Sequence, residues 1–328
     1  MSKNILITGP NLAPEAEAVL VDAGYLPVYL PPYTEGDGLN EIAQKTKPVG
    51  VLVRMGRIDD SFFDAAPEVR VISKHGAGVD NIDVNAASAR GIFVLNAAGA
   101  NAVSVAEHAI ALLLAVAKKI GPLDKSVREG RWEKSGFQGR ELAGSTIGLV
   151  AFGAIARQMA RFAKAFDIRV RAYDPFSADD VFDQEGVERV QSLDELFATC
   201  DIISLHSPLT PETSNLVNAE RLAAMKPGGI IINTARGGLI DEAALQAALE
   251  SGHLAGAGLD TFAQEPPPAE HPFWQNPRLV LTPHIAGVTT AAGTRVGIDA
   301  AQGIVDFLAG KSLPAVRIVN RNQLNIPA

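Results

Sequence analysis

Short β-rich runs alternate with amphipathic stretches from one end of the chain to the other, and this alternation is its tightest constraint on fold. A parallel strand cannot turn straight back onto its neighbour; it needs a crossover of a dozen or more residues, usually a helix. The runs Ile5–Thr8, Leu26–Leu30, Val49–Val53, Val69–Ser73 and Ile92–Leu95 read as strands bounded by Gly, Pro or Asp, with helical segments such as Pro14–Ala23 between them. A second series runs through Thr146–Val150, Arg169–Tyr173, Val187–Val190, Ile202–Leu205, Ile230–Asn233, Gly256–Leu259 and Leu279–Leu281. Between the series, about Ser104 to Lys119 is apolar on nearly every face, which suits a helix buried between layers or at an interface. After Gly287 the pattern is helical again, roughly Ala291 to Leu308, before a short tail. The expected fold class is α/β, with two doubly wound parallel-sheet domains. Residues 1–99 plus 288–328 form a discontinuous first domain, and residues 100–287 form the second.

Composition narrows the function classes. A chain of 328 residues is too long for one core and suits two domains. Its 47% hydrophobic content excludes intrinsic disorder. Twenty-nine basic against 37 acidic residues give a net charge of −8, which argues against a nucleic-acid partner. The one cysteine, Cys200, rules out a disulfide framework or a Cys-based zinc site within the chain and reads as a small buried hydrophobe. Met1-Ser2-Lys3-Asn4 leads straight into Ile5-Leu6-Ile7, and the longest apolar stretch, Ala109–Ala117, is short of the roughly 20 residues of a membrane span. No membrane association and a cytoplasmic address are expected.

The strand Thr146–Val150 leads into Ala151-Phe152-Gly153-Ala154-Ile155-Ala156 and then a helix, the context in which a Gly-rich turn cradles a pyrophosphate. Gly153 keeps the position that lets backbone approach phosphate, while alanines stand at the outer two. Ala156 is compatible with close helix–strand packing; Ala151 in the tight turn is a departure. Asp174 ends the next strand 21 residues beyond Gly153, near the spacing of about 20 for a ribose-binding carboxylate. Pro175-Phe176-Ser177 supply no cation for a 2′-phosphate, so NAD is expected over NADP. Asp before Pro is also a turn former, and that reading stays open.

Ligands of doubly wound sheets bind beyond the carboxyl ends of the strands. Three late strands deliver Arg236, Glu265 and His284 there. An Arg fork grips a carboxylate, a His exchanges a proton with an alcohol or ketone oxygen, and a Glu beside that His favours the imidazolium.

The segments Gly76–Asp83, Asn101–His108, His206–Thr213, Met225–Gly228, Asn233–Gly238 and Pro283–Gly287, in that order, resemble the D-isomer-specific 2-hydroxyacid dehydrogenases over nearly the whole length. The resemblance implies a flavodoxin-like substrate domain and a Rossmann dinucleotide-binding domain. It implies an NAD-dependent exchange between a 2-oxo acid and a 2-hydroxy acid, with Arg236 on the substrate carboxylate, His284 as acid/base and Glu265 as its partner. It places Ala77 and Gly78 at the carboxylate, and Gly153, Ala154, Ile155, Asp174, His206, Pro208, Thr213, Thr234, Arg236, Asp260, His284 and Gly287 around the cofactor. Together with the all-apolar helix, it also implies a homodimer. A dinucleotide-sensing corepressor of the same fold is the alternative.

Substrate side-chain contacts are expected from the first domain, around Arg54-Met55-Gly56-Arg57 and Lys74-His75, and from the loop with Arg131 and Trp132. Their polarity suits a polar or acidic substrate such as hydroxypyruvate or phosphoglycerate, and equally a solvated face. His75 suits substrate contact or a surface role, and His206 the cofactor pocket or a structural turn. His108 reads as a core hydrogen-bonder, His253 as a cap or surface residue, and His271 as solvated. No pair of them has metal-ligand spacing, so no metal is expected. Gly99 and Gly287 at the joints suit hinge closure over substrate.

Overall fold

Ile5, Leu6 and Ile7 are completely buried, and the strand they form lies in the interior of a parallel sheet. The computed structural model describes Ser2–Ile326; Met1, Pro327 and Ala328 lie outside the described residues. It divides into two units, residues 1–101 with 288–328 and residues 102–287.

In the first unit, β1 (Asn4–Ile7), β2 (Leu26–Tyr29), β3 (Gly50–Val53), β4 (Val71–Lys74) and β5 (Phe93–Asn96) pair in the order β2-β1-β3-β4-β5, every pair parallel. The crossovers are α1 (Pro14–Asp22), α2 (Gly36–Thr46), α3 (Asp60–Ala65) and α4 (Val84–Ala89). Because successive side chains of a strand point to opposite faces, each strand feeds two cores. Leu6, Val51, Val53 and Ile72 pack with Leu39, Phe62 and Phe63, while Ile5, Ile7, Leu52 and Val71 pack with Leu20.

In the second unit, α5 (Ala102–Ala117) and α6 (Ile120–Arg128) precede β6 (Thr146–Val150), α7 (Ala154–Ala165), β7 (Arg169–Tyr173), α8 (Asp179–Glu185), β8 (Glu188–Arg189), α9 (Leu193–Thr199) and β9 (Ile202–Leu205). Then come α10 (Ala219–Ala224), β10 (Gly229–Asn233), α11 (Glu242–Glu250), β11 (Leu254–Leu259) and β12 (Leu279–Leu281). These strands form a parallel seven-stranded sheet in the order β12-β11-β10-β9-β6-β7-β8. The all-apolar α5 resolves to a buried layer of this unit, packed on β10, β11, β12 and α7. Glycines admit it: a Cβ on Gly256 would stand 2.7 Å from Val116 Cγ1, and one on Gly258 2.8 Å from Leu112 Cβ.

The chain then returns to the first unit as α12 (Thr290–Leu308), which packs on α1 and completes the Ile5, Ile7, Leu52 face with Ala300, Ala301 and Ile304. The segment after it is docked rather than a loose tail. Asn320 is fully buried, accepts the Val94 amide at 3.0 Å, and donates to the Ile92 carbonyl at 2.8 Å and the Ser88 hydroxyl at 3.0 Å.

Replacing Gly258 with Ala forces a methyl into the α5–sheet contact. Urea unfolding is expected to show a loss of about 1–3 kcal/mol, the range for overpacking a close-packed core. A loss below about 0.5 kcal/mol, the scatter of neutral substitutions, would contradict the close approach.

Candidate active site

Parallel strands end on one side of their sheet, so the loops after β9 to β12 are neighbours by topology. After β10, the buried Asn233 shapes the turn: its Nδ2 donates to the Arg236 carbonyl at 2.8 Å and its Oδ1 accepts the Ala235 amide at 2.9 Å. Gly237 lies so close to the next loop that a Cβ there would sit 1.8 Å from the Phe262 carbonyl carbon. Only glycine permits that contact, which locks the Arg236 turn onto the loop that carries Glu265.

Glu265 is held at both oxygens. Oε1 accepts the Phe262 amide at 3.0 Å, and Oε2 meets His284 Nδ1 at 2.7 Å. His284 has a left-handed backbone, φ 54°, which a non-glycine residue keeps only when its surroundings impose it. Asp260 imposes it. Its carbonyl accepts the His284 amide at 2.7 Å, and its carboxylate accepts the amides of Ile285 and Ala286 at 2.9 and 2.8 Å and the Thr282 hydroxyl at 2.6 Å. Asp260, expected at the cofactor site, has no exposed surface and holds the loop through these bonds.

The electrostatics follow from this geometry. The hydrogen bond and charge of Glu265 raise the pKa of His284 above its ordinary value, against burial and the nearby Arg236 charge. For Glu265, burial works against ionisation, but the His284 hydrogen bond, the Phe262 amide and the charges of His284 and Arg236 outweigh it and lower its pKa. With Nδ1 committed to Glu265, Nε2 is the atom of this half-exposed imidazole that can exchange a proton with a ligand.

The β6–α7 turn fits a dinucleotide. Gly153 caps α7 with extended backbone and no side-chain cap, and a Cβ on it would meet nothing within 4 Å. The protein's own packing does not require glycine there, so the space is free for a phosphate beside the unpaired amides of Ala154 and Ile155. Ala156 is fully buried, consistent with close packing. Ala151 takes φ 69°, a left-handed conformation that costs an alanine roughly 1–2 kcal/mol. Beyond β9 and β10, the hydroxyls of Ser207 and Thr234 are buried without a hydrogen-bond partner, as groups awaiting a ligand would be.

The turn-forming reading of Asp174 holds. Its carboxylate is almost buried and accepts the amides of Phe152 and Phe176 at 2.8 Å, the Ser177 amide at 3.2 Å and the Ser177 hydroxyl at 3.0 Å. Burial disfavours the charge, but these four donors hold its pKa below the ordinary value. They fill the roughly four lone-pair sites of a carboxylate, and of the four the Ser177 hydroxyl is the donor free to rotate away. A cation also stands nearby: Arg189 donates to the Asp174 carbonyl at 3.0 Å and pairs with Asp179. Arg189 lies 15 residues along the chain, but its pairing with Ala172 across β7 and β8 brings it there.

His206 bonds Ser204 Oγ at 3.0 Å, and burial pushes its pKa down to about 4. Thr213 closes its own turn onto the Pro208 carbonyl at 2.8 Å. Gly287 ends the unit. His271, expected to be solvated, is enclosed by Phe262, Phe273 and Trp274, with Nε2 3.1 Å from Glu242. His253 is half-buried rather than at the surface, and its Nε2 has no partner. Among the described residues, no three His, Cys, Asp or Glu side chains converge to hold a metal, and no helix is long and apolar enough to cross a membrane.

In the first unit, Ala77 and Gly78 follow β4, and the Ala77 carbonyl accepts Asn96 Nδ2 at 2.9 Å. Arg54 and Met55 follow β3, their amides 3.0 and 3.3 Å from Thr8 Oγ1. The half-buried Arg54 guanidinium bonds Asn11 Oδ1 at 2.7 Å, and burial lowers its pKa. His75 is pushed down to about 4 by burial and the Arg54 charge. Arg131 is neutralised by Glu129 and Glu133, and Trp132 beside it is exposed.

Residues 110–286 match the model of the NAD binding domain of the D-isomer specific 2-hydroxyacid dehydrogenases. The chain belongs to this family. A D-3-phosphoglycerate dehydrogenase of Archaeoglobus fulgidus is 42% identical over 288 residues, covering 88% of this chain and 53% of that protein. A hydroxypyruvate reductase of Thermotoga maritima is 44% identical over 250 residues, covering 76% of this chain and 80% of that protein. The crystal structure of an NAD+-bound 3-phosphoglycerate dehydrogenase from Entamoeba histolytica superposes with a TM-score of 0.82 at 28% identity, covering 98% of this chain and 99% of that one. The chain thus spans about half the length of the archaeal relative.

Glu265→Gln removes the charge that favours the imidazolium and keeps a hydrogen-bonding group. The His284 NMR titration is expected to move to lower pH. An unmoved midpoint would show that Glu265 does not govern His284.

Proposed function

We propose that the protein interconverts a small 2-oxo acid and its 2-hydroxy acid with NAD(H). The observation that carries this reading is the His284–Glu265 pair, with its raised imidazole pKa and Arg236 charge, at the carboxyl ends of β10 to β12. NAD(H), when bound, supplies or accepts the hydride at the substrate C2. In reduction, His284 Nε2 gives its proton to the carbonyl oxygen while Glu265 steadies the imidazolium. Arg236 holds the substrate carboxylate and, with His284, stabilises negative charge developing on the oxygen. Gly153, Ala154 and Ile155 would hold the pyrophosphate, and Asp174 the adenosine ribose.

For the rest of the substrate we propose a polar or anionic group. Half-buried Arg54 bonds Asn11, and its Nε has no hydrogen-bond partner. The names of the two relatives, hydroxypyruvate reductase and phosphoglycerate dehydrogenase, point the same way. A homodimer is part of the same reading, supported by exposed Val103, Ile120, Val127 and Trp132. Sedimentation at the monomer mass would contradict it.

The direct test follows NADH absorbance with a panel of 2-oxo acids. Turnover is expected, and His284→Gln should lower kcat roughly a hundredfold to ten-thousandfold. Arg236→Ala should damage both KM and kcat, because its grip serves ground and transition states alike. Silence across the panel with tight NADH binding would overturn the enzyme reading in favour of a dinucleotide sensor.

Cofactor choice is a second test. Asp174 is charged and Arg189 is already committed to Asp179, so NADH should exceed NADPH in kcat/KM by about tenfold to several-hundredfold. Asp174→Ala should narrow the gap. Equal efficiency in the unmutated protein would remove Asp174 from this role.

A further inference from the structure

A chain of hydrogen bonds reaches the His284 loop from α5, and its direction can be worked out. His108 Nε2 lies 2.9 Å from Thr282 Oγ1, and that oxygen lies 2.6 Å from Asp260 Oδ1. An ionised carboxylate only accepts, so the single Thr282 proton goes to Asp260. The Thr282 oxygen is then an acceptor towards His108, and His108 must carry a proton on Nε2. The order is His108 Nε2–H to Thr282 Oγ–H to Asp260.

Asp260 spends its other contacts on the loop itself, taking the amides of His284, Ile285 and Ala286. Ser104, four residues before His108 and on the same face of α5, donates its hydroxyl to the Ala286 carbonyl at 2.8 Å. The helix therefore grips both ends of the turn that holds His284 in its left-handed conformation.

We infer that His108 is a positioning residue for His284. Its Nε2–H completes the donor relay into Asp260 and so keeps the His284 imidazole on Glu265. The inference rests on the acid/base role proposed for His284, but its structural half can be read without any turnover. His108 acts through Thr282, bonded at 2.9 Å, and on Asp260 Oδ1 itself, 3.6 Å away.

The test uses the full chain and four variants: His108→Leu, which removes the donor; His108→Gln, which keeps an N–H; Thr282→Val, which cuts the relay at its middle; and the His108→Leu, Thr282→Val double. Three quantities are read: the NMR titration midpoint of His284 without ligand, and the NADH-dependent kcat and KM. His108→Leu is expected to lower the His284 midpoint and to lower kcat by about twofold to a hundredfold, the span of coupling between contacting side chains, with KM little changed. His108→Gln should restore both. In the Thr282→Val background, His108→Leu should have a smaller effect, because only the 3.6 Å approach of His108 Nε2 to Asp260 Oδ1 is left to lose.

An unmoved His284 midpoint in His108→Leu, or an undiminished His108→Leu effect in the Thr282→Val background, would overturn the inference. Shifted midpoints in a protein that reduces no 2-oxo acid would uphold the positioning role and overturn the proposed function. If His108→Leu does not fold, Thr282→Val and His108→Gln decide: the midpoint must fall in the first and hold in the second.

Discussion

The Asp260 carboxylate lies where no solvent reaches, and the loops at this end of the sheet are arranged around it. A buried, unsatisfied carboxylate costs several kcal/mol, so a loop that supplies donors to it is strongly preferred over one that does not. Here the donors are the backbone of residues 285 and 286 and the hydroxyl of Thr282, the segment that bends around His284. The left-handed backbone at His284 would cost on the order of 1–3 kcal/mol by itself. It persists because the alternative leaves Asp260 unsatisfied.

From that fixed point the rest of the site is a matter of register. β12, β11 and β10 are consecutive in the sheet, so the His284, Glu265 and Arg236 loops stand in a row. The Gly237 contact with Phe262 draws the outer loop in until the Arg236 charge is felt by both members of the pair. That charge opposes the imidazolium, as it must if it is to hold an anion beside it. Glu265 outweighs it, and His284 keeps its proton to higher pH than an unpaired histidine.

Much of this could be read before any coordinates. Periodicity located the strands of both sheets because parallel strands covered on both faces are short, continuous apolar runs with turn residues at their ends. The polar side chain just beyond each late strand was legible for the same reason. What escaped the sequence acts through space. Arg189 reaches Asp174 across a strand pair, and His271 is enclosed by an aromatic group that includes Phe262 from another loop. Asp260 was placed at the cofactor by resemblance alone; the bonds by which it holds the His284 loop are visible only in the fold. Asp174 shows the opposite limit, since the turn-forming role and the charged carboxylate belong to one side chain and are not alternatives.

The most direct measurement is a crystal structure with NADH and a non-reducible 2-oxo acid analogue such as oxamate. Expected is His284 Nε2 within about 3 Å of the analogue's carbonyl oxygen, with Nδ1 still on Glu265 and Arg236 on its carboxylate. An analogue bound with its carbonyl away from His284, or a His284 that has left Glu265, would contradict the assignment.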